Sequence, residues 1–202
     1  RETYVRFLEL YGDCYELLAK EFPEITYWEP GNEFDSSGSL HPIGWTNGSA
    51  NVFTESERAR ITADLCWYAN RAVQKADGKN VIVFPGSMMA DATPIYLEEV
   101  YNWISSKKIP TGEEYSDTNT WNYFQILAWH PYPSSTIEAA AEKCEELHDI
   151  AVRNGDGDKK VWFTEVGFSE HRFKYDQNLI DKLYLELFNT VKERLTFVDT
   201  LF

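Results

Sequence analysis

The segment ITYWEPGNEFD, residues 25–35, is the stretch from which the fold can be predicted. It begins with β-branched and aromatic residues and turns polar at Pro30, which is typical of a buried strand whose C-terminal end opens into a site. Asn32 and Glu33 have low strand propensity, so their position at the end of a predicted strand needs an explanation. In a functional interpretation, the carboxylic acid points into a pocket and the neighbouring amide binds substrate. In the alternative interpretation, the two residues belong to an ordinary polar loop, and the segment alone leaves both open.

The composition describes a folded chain and excludes some partners. The 202 residues suit one domain or a large piece of one. With 43% hydrophobic and 15% aromatic residues, the chain can bury a substantial core. A formal net charge of −14 argues against nucleic acid and against anionic membranes, because no basic run is present to neutralise phosphates. No apolar run reaches the roughly 18 residues that a membrane span requires.

The chain begins with Arg1 rather than Met. We therefore expect a piece of a longer protein, and the missing start is a place where an export signal would stand. A secreted or periplasmic location is favoured on this ground.

Helical and strand patterns alternate along the sequence. Runs such as residues 81–84 are apolar without alternation and are bracketed by helices, which is typical of parallel strands covered on both faces. A long polar loop at about 34–53 interrupts the pattern and is of the kind that usually carries function. The predicted helices cover 2–21, 54–78, a segment from 93, 136–153 and a segment from 176, and the predicted strands cover 25–33, 81–84, 124–129, 160–167 and 197–202.

This alternation predicts an α/β protein with a parallel sheet. A doubly wound sheet and a (β/α)8 TIM barrel are the competing architectures. The first would favour a GxGxxG motif after a strand, and the sequence contains none. Polar residues instead follow three strands, namely Asn32 with Glu33, His130 with Tyr132, and Glu165. Active sites of barrels draw residues from several strand ends at that face, so we predict the barrel.

Two glutamates at the ends of non-adjacent strands suggest a chemistry. Glu33 and Glu165 would meet across the mouth of a barrel. A pair of carboxyl groups about 5–5.5 Å apart is the apparatus of a retaining glycosidase, in which one protonates the leaving oxygen and the other attacks the anomeric carbon. The alternative is two ordinary strand-end glutamates that pair with Lys or Arg.

Strand alternation predicts where side chains point. On the fourth strand Val161, Phe163 and Glu165 should share the face of the site, while Trp162 and Thr164 should point towards the helices.

On the first strand, Glu29 should lie on the same face as Glu33 but deeper, unless the Pro-Gly pair turns it outward. Trp129 is predicted to lie in the helix layer. Trp45, in the long loop, is the better candidate for stacking on a sugar ring.

Metal and redox chemistry are not indicated. A metal-dependent hydrolase would need several histidines at strand ends, and of the four histidines only His130 has such a place. The cysteines lie far apart and lack CxxC spacing. We predict no metal and no cofactor, and we expect buried free thiols at Cys14, Cys66 and Cys144.

Three motifs carry a family resemblance. The segments WEPGNE at 28–33, WHPY at 129–132 and FTEVG at 163–167 resemble signatures of the clan A glycoside hydrolases, which are retaining enzymes with a (β/α)8 barrel. Each motif is short, but the three occur in the clan's order and at the ends of predicted strands. The resemblance implies that residues 1–202 form a partial catalytic domain, from roughly helix 3 to the start of strand 8.

The resemblance also implies roles for individual residues. Glu33 would be the general acid/base, Asn32 would bind the sugar 2-hydroxyl, and Glu165 would be the nucleophile. Tyr132 would hold and tune Glu165, and His130 would bind substrate or support the acid/base.

The implied partner is a carbohydrate, in particular a plant-type oligo- or polysaccharide. The motifs are nearest to the branches with β-xylosidases, cellulases and related β-glycosidases, of family 39 or family 5 style. Phe34 departs from the pattern, since many relatives carry Pro after the acid/base. The clan's Arg on strand 2 and Trp on strand 8 are also absent, because the chain starts too late and stops too early to include them. The missing barrel strands keep open a non-catalytic sugar-binding or scaffolding fragment. We expect the missing part of the barrel to dock at two edges, residues 25–28 and 197–202.

Overall fold

The computed structural model describes residues 2–36, 38–40, 52–89, 93–106, 117–132, 136–168 and 176–202. Within these ranges helices and strands alternate, as the sequence pattern predicts, and a single 3-10 turn at Thr120–Asn122 precedes the third strand. The helices are α1 Glu2–Glu21, α2 Glu55–Ala76, α3 Thr93–Ser105, α4 Ile137–Arg153 and α5 Gln177–Glu193, and the strands are β1 Tyr27–Trp28, β2 Val81–Ile82, β3 Ile126–Trp129, β4 Lys160–Phe163 and β5 Val198–Leu201.

Side-chain caps start three of the helices where the sequence indicates. Thr54 and Glu57 form a reciprocal capping box at the start of α2, so two backbone N–H groups that lack a helical partner are satisfied. Thr136 accepts from the backbone of Ala139 at the start of α4, and Asp176 accepts from that of Leu179 at the start of α5.

All strand pairs in the described part of the chain are parallel. β1 pairs with β2, and β3, β4 and β5 follow one another in a second group. Bridges between Val83 and Ile126 and between Ser87 and Trp129 join the two groups. The strands therefore lie side by side in the order in which they occur along the chain, and the prediction of an α/β fold with parallel strands is confirmed.

The two faces of the sheet differ. One face packs against the helices in the main core, where Trp129, Val161 and Phe163 are fully buried. The other face carries a small apolar cluster that includes Ala128 and Trp162. Trp129 thus lies in the helix layer as predicted. The predicted directions of the β4 side chains are wrong, because Val161 and Phe163 face the helices and Trp162 does not.

The regular strands are shorter than predicted. β1 ends at Trp28 and β4 ends at Phe163, whereas alternation was expected to continue to Glu33 and to Glu165. In the first case Gly31 has a φ of 127° and Glu33 a φ of 51°, so the backbone leaves the extended conformation before the acidic residue. In the part of the chain that the structure describes, no helix has the length and apolar character to cross a bilayer.

Candidate active site

The polar residues that follow β1, β3 and β4 converge at one edge of the sheet. Parallel strands all present their carboxyl ends at the same edge, so residues distant in sequence meet there. Glu33 is fixed by its backbone, because its N–H donates a 2.9 Å hydrogen bond to the carbonyl oxygen of Gly86, just beyond β2. This bond holds Glu33 in the left-handed conformation.

His130 lies between the two candidate catalytic carboxylates. Its Nδ1 is 2.9 Å from Oε1 of Glu33 and 3.9 Å from Oε2 of Glu165. The imidazole is almost completely buried, whereas Glu33 and Glu165 keep part of their surface open. The nearest ligand atoms of the three side chains all lie within 4.8 Å of one another. The carboxylates of Glu33 and Glu165 therefore border the same partly open space, in which a substrate bond could lie between them.

The two carboxylates have different partners. The Tyr132 hydroxyl donates a 2.9 Å hydrogen bond to Oε2 of Glu165, and half of the Tyr132 side chain is exposed. Burial raises the pKa of Tyr132, and the hydrogen bond and negative charge of Glu165 raise it further. The phenol therefore keeps its proton and remains a donor to Glu165. Glu33 faces the imidazole instead.

Glu29 is a third carboxylate of this cluster. Its Oε1 accepts a 2.6 Å hydrogen bond from the backbone N–H of Gly86, and the side chain is half-buried. Burial and the negative charge of Glu165 raise the pKa of Glu29, while the hydrogen bond from the Gly86 N–H lowers it. The outward alternative for Glu29 is therefore wrong, since the side chain lies inside the cluster with partners.

Two residues that the sequence reasoning missed complete the cluster. The Thr164 hydroxyl is 3.0 Å from Nε2 of His130, although alternation predicted that Thr164 would point towards the helices. Gly86 contacts the ring directly, because a Cβ placed on it would lie 2.0 Å from Nε2 of His130. The Pro85-Gly86 pair after a strand is a signal for such a close approach.

The loop after Glu33 is anchored through Asp35. This buried carboxylate accepts hydrogen bonds from the backbone N–H of Met88 at 3.1 Å and from the Thr93 hydroxyl, at the start of α3. Burial raises the pKa of Asp35 despite these donors. Arg58 of α2 donates at 3.1 Å to the backbone oxygen of Asp35. The position of Glu33 is thus fixed by two sets of contacts. Its own N–H binds the carbonyl oxygen of Gly86, and two residues further along the chain Asp35 anchors the loop.

Phe34 packs inward. Its ring lies over Gly31, where an added Cβ would come within 2.1 Å of it, and it contacts the apolar clusters around α1 and α2. The positive φ of Gly31 and this close contact both require glycine. Phe34 therefore fills the core beside the site.

The remaining predicted site residues divide into two groups. Asn32 is exposed at the same strand end as Glu33. Trp45 lies outside the described residues, as do His41 and His171.

Glu33, His130 and Glu165 are also the described residues whose ligand atoms come close enough to share a metal ion. Imidazole and carboxylate donors suit several divalent ions. In this arrangement, however, hydrogen bonds already satisfy both sides of the imidazole and one oxygen of Glu165.

No family model matches the chain, and no curated protein matches it. Solved structures do resemble it. A glucosidase from Croceicoccus marinus has 13% sequence identity and a TM-score of 0.61, with 96% of this chain and 37% of that chain covered. A monomeric β-xylosidase from Caulobacter crescentus CB15 has 13% identity and a TM-score of 0.61, with 98% and 38% covered. A psychrophilic family 10 endo-β-1,4-xylanase has 11% identity and a TM-score of 0.54, with 94% and 55% covered.

These likenesses concern the fold, since the sequence identity is low. Almost all of this chain superposes on each of the three structures, yet it spans only 37% to 55% of their lengths. The chain therefore has the fold of a part of known glycoside hydrolase structures.

Proposed function

We propose that this chain carries the catalytic pair of a retaining β-glycoside hydrolase. The observation that carries the proposal is that one carboxylate oxygen of Glu33 and one of Glu165 lie within 4.8 Å of each other at the ends of non-adjacent parallel strands. This separation suits a carboxylate that attacks directly, because an inverting enzyme leaves room for a water molecule, with its carboxyl groups about 6.5–9.5 Å apart. The different partners of the two carboxylates support different roles.

In the proposed reaction Glu165 is the nucleophile and Glu33 is the acid/base. Glu165 attacks the anomeric carbon, and the bond from that carbon to the leaving oxygen breaks as Glu33 gives its proton to the oxygen. Glu33, now ionised, then takes a proton from water, whose oxygen displaces Glu165 and releases the sugar with its original anomeric configuration. Tyr132 supports this by donating to Glu165, which favours its ionised form before attack.

The proposed substrate is a β-linked oligo- or polysaccharide of the plant type. The named activities of the three similar structures, glucosidase, xylosidase and xylanase, support this class. The exposed Asn32, next to Glu33, is the proposed ligand of the sugar 2-hydroxyl.

We further propose that the fold is part of a (β/α)8 barrel, from helix 3 to the start of strand 8. Two observations support this. The strands follow one another in chain order, and the rings of Tyr27 on β1 and Trp162 on β4 lie 4.9 Å apart between centroids although the two strands are not neighbours. Contact between non-adjacent strands requires a strongly curved sheet, as in the wall of a barrel.

A non-catalytic sugar-binding fragment is the second candidate. It is favoured by the open inner face, where Tyr27 and Phe202 are 52% and 67% exposed. A complete barrel would cover such rings with side chains from the remaining strands. In this alternative, the missing part of the barrel would be a partner that activity requires.

Covalent labelling separates the two candidates. The protein that contains these residues is incubated with a 2-deoxy-2-fluoro glycoside that carries an activated leaving group, and peptides are mapped by mass spectrometry. The catalytic proposal predicts one sugar adduct on Glu165, absent in Glu165→Gln. A non-catalytic binder predicts reversible binding without an adduct.

A further inference from the structure

The backbone ladder between β1 and β2 stops at two prolines. Val83 still donates to the backbone oxygen of Trp28 at 2.9 Å, as expected for paired parallel strands. In the same register, the next two bonds would need the backbone N–H groups of Pro30 and Pro85, and proline has no N–H. The ends of these two strands must therefore be joined by other contacts.

Side chains take over where the ladder stops. The Tyr11 hydroxyl of α1 donates at 3.0 Å to the backbone oxygen of Pro30, the oxygen that an N–H at position 85 would have reached. Oε1 of Glu29 accepts the backbone N–H of Gly86 at 2.6 Å. Both polar groups thereby gain the partner that a buried backbone group needs. The bond from Gly86 to Glu29 replaces a direct link between the backbones of β1 and β2.

Gly86 needs this restraint because it has no side chain of its own to limit its backbone. A Cβ on Gly86 would lie 2.0 Å from Nε2 of His130, so the close approach of the ring requires glycine. Glycine has the widest choice of backbone conformations, and neighbouring contacts must select one of them. The hydrogen bond to Glu29 fixes the peptide group on the N-terminal side of the Gly86 α-carbon.

The peptide group on the C-terminal side of that α-carbon is fixed from two directions. The carbonyl oxygen of Gly86 accepts from the N–H of Glu33 at 2.9 Å, and the N–H of Ser87 donates to the backbone oxygen of Ala128 at 3.2 Å. The conformation of Gly86 therefore determines both where Glu33 is anchored and how closely the His130 ring can approach.

We propose that Glu29 is a positioning residue, which holds the backbone of Gly86 so that Gly86 anchors Glu33 and leaves room for His130. In this scheme Glu29 accepts a hydrogen bond and neither attacks the sugar nor transfers a proton to it. The contact between Glu29 and Gly86 stands on its own geometry, whereas its meaning for catalysis rests on the proposed function. The scheme needs an acceptor oxygen at position 29, and attack or proton transfer would need a carboxyl group.

Two substitutions separate these requirements. Glu29→Gln keeps an oxygen that can accept the Gly86 N–H, while Glu29→Leu keeps much of the side-chain volume and has no acceptor. Glu24→Leu is the matched control, since Glu24 is an exposed glutamate just before β1.

Amide hydrogen exchange, followed residue by residue by NMR, tests the contact without turnover. We expect the Gly86 N–H to exchange at least about tenfold faster in Glu29→Leu than in the wild type, in Glu29→Gln and in Glu24→Leu. The Val83 N–H, in the regular ladder, is the internal reference and should exchange equally in all four proteins. Unchanged exchange of Gly86 in Glu29→Leu would overturn the proposal. An equal acceleration of both amides would also overturn it, because it would show only a general loss of stability.

Kinetics connect the contact to the proposed reaction. A misplacement of about 1 Å can lower a catalytic rate about 100-fold, so Glu29→Leu should lower kcat about 10- to 100-fold with little change in KM. Glu29→Gln should recover most of the lost kcat, and Glu24→Leu should behave as the wild type.

A Glu29→Gln variant as slow as Glu29→Leu would overturn the proposal, because the carboxylate itself would then take part in the reaction. A wild-type protein that hydrolyses no glycoside would instead contradict the proposed function. The exchange measurement would still decide whether Glu29 holds Gly86.

Discussion

The Tyr132 hydroxyl donates a 2.9 Å hydrogen bond to Oε2 of Glu165, across the gap between the ends of β3 and β4. Tyr132→Phe should lower kcat about 10- to 100-fold, because a hydrogen bond to a charged group contributes about 1.5–3 kcal/mol. Steady-state kinetics of the wild type and the variant measure this effect.

Tyr184→Phe is the control for this change. Tyr184 packs against Phe168 near the same strand end, so removal of its hydroxyl should leave kcat close to that of the wild type. An unchanged kcat in Tyr132→Phe would contradict the assigned role of Tyr132.

Gly86 gives a steric prediction. A Cβ on Gly86 would lie 2.0 Å from Nε2 of His130, and the buried ring has little room to move. Gly86→Ala should therefore displace His130 from Glu33, lower activity at least 100-fold and cost about 1–3 kcal/mol in the free energy of unfolding. Gly78→Ala is the matched control, because nothing lies within 4 Å of its Cβ. Equal stability and activity in the two variants would refute the close approach.

Asp64 should make stability depend on pH. Its carboxylate accepts from Tyr4 of α1 at 2.8 Å and from Trp103 of α3 at 3.0 Å, and burial raises its pKa to about 7. Because the folded-state pKa is raised above the ordinary value of 3.8, the stabilisation is fully present below about pH 4 and is lost as pH rises through 7.

Asp64→Asn should remove most of this dependence, because an amide resembles the neutral acid. At pH 8 the variant should be more stable than the wild type by about 1–3 kcal/mol, and this difference should be smaller at pH 5 and vanish near pH 4. Urea unfolding at pH 5, 6, 7 and 8 measures this, with the exposed Asp158→Asn as control. A pH dependence as steep as that of the wild type would show that Asp64 does not titrate in this range.

The predictable part of the fold depends on local patterns. Apolar runs, caps and helical periodicity are properties of neighbouring residues, so the capping box at Thr54 and the burial of Trp129 could be predicted. Which face of β4 would meet the helices could not, because Val161 and Phe163 pack against them while Trp162 lies on the other face and Thr164 lies against His130.

The sequence allowed the residues of the candidate site to be chosen, but not their hydrogen-bond partners. Glu33, His130, Tyr132 and Glu165 could be chosen because polar residues after apolar strands are unusual. The partner of Glu29 could not, since it is a backbone N–H, and every residue except proline has one. That Gly86 supplies it depends on the register between β1 and β2, which no local pattern contains.

The exposed apolar surface gives a prediction about the isolated chain. Besides the open inner face of the sheet, α1 exposes Leu17 and α5 exposes Leu185 and Phe188, so the first and last helices each present apolar side chains to solvent. If the chain is part of the proposed barrel, we expect the 202-residue chain alone to have at most very weak activity until the other strands of that barrel are supplied. The measurement is hydrolysis of an aryl β-glycoside by a preparation shown to be monodisperse by light scattering. Robust turnover by a confirmed monomer would contradict this.

The central claim is that Glu33 and Glu165 have different roles, and one comparison tests it most directly. Glu33→Ala and Glu165→Gln are assayed in the active protein on an aryl glycoside with an activated leaving group, with and without azide. We predict that Glu165→Gln loses turnover under all conditions. Glu33→Ala should retain the first step, because such a leaving group needs no acid, and azide should accelerate its second step and yield a glycosyl azide of retained configuration. Identical behaviour of the two variants, with no azide product from either, would contradict the account.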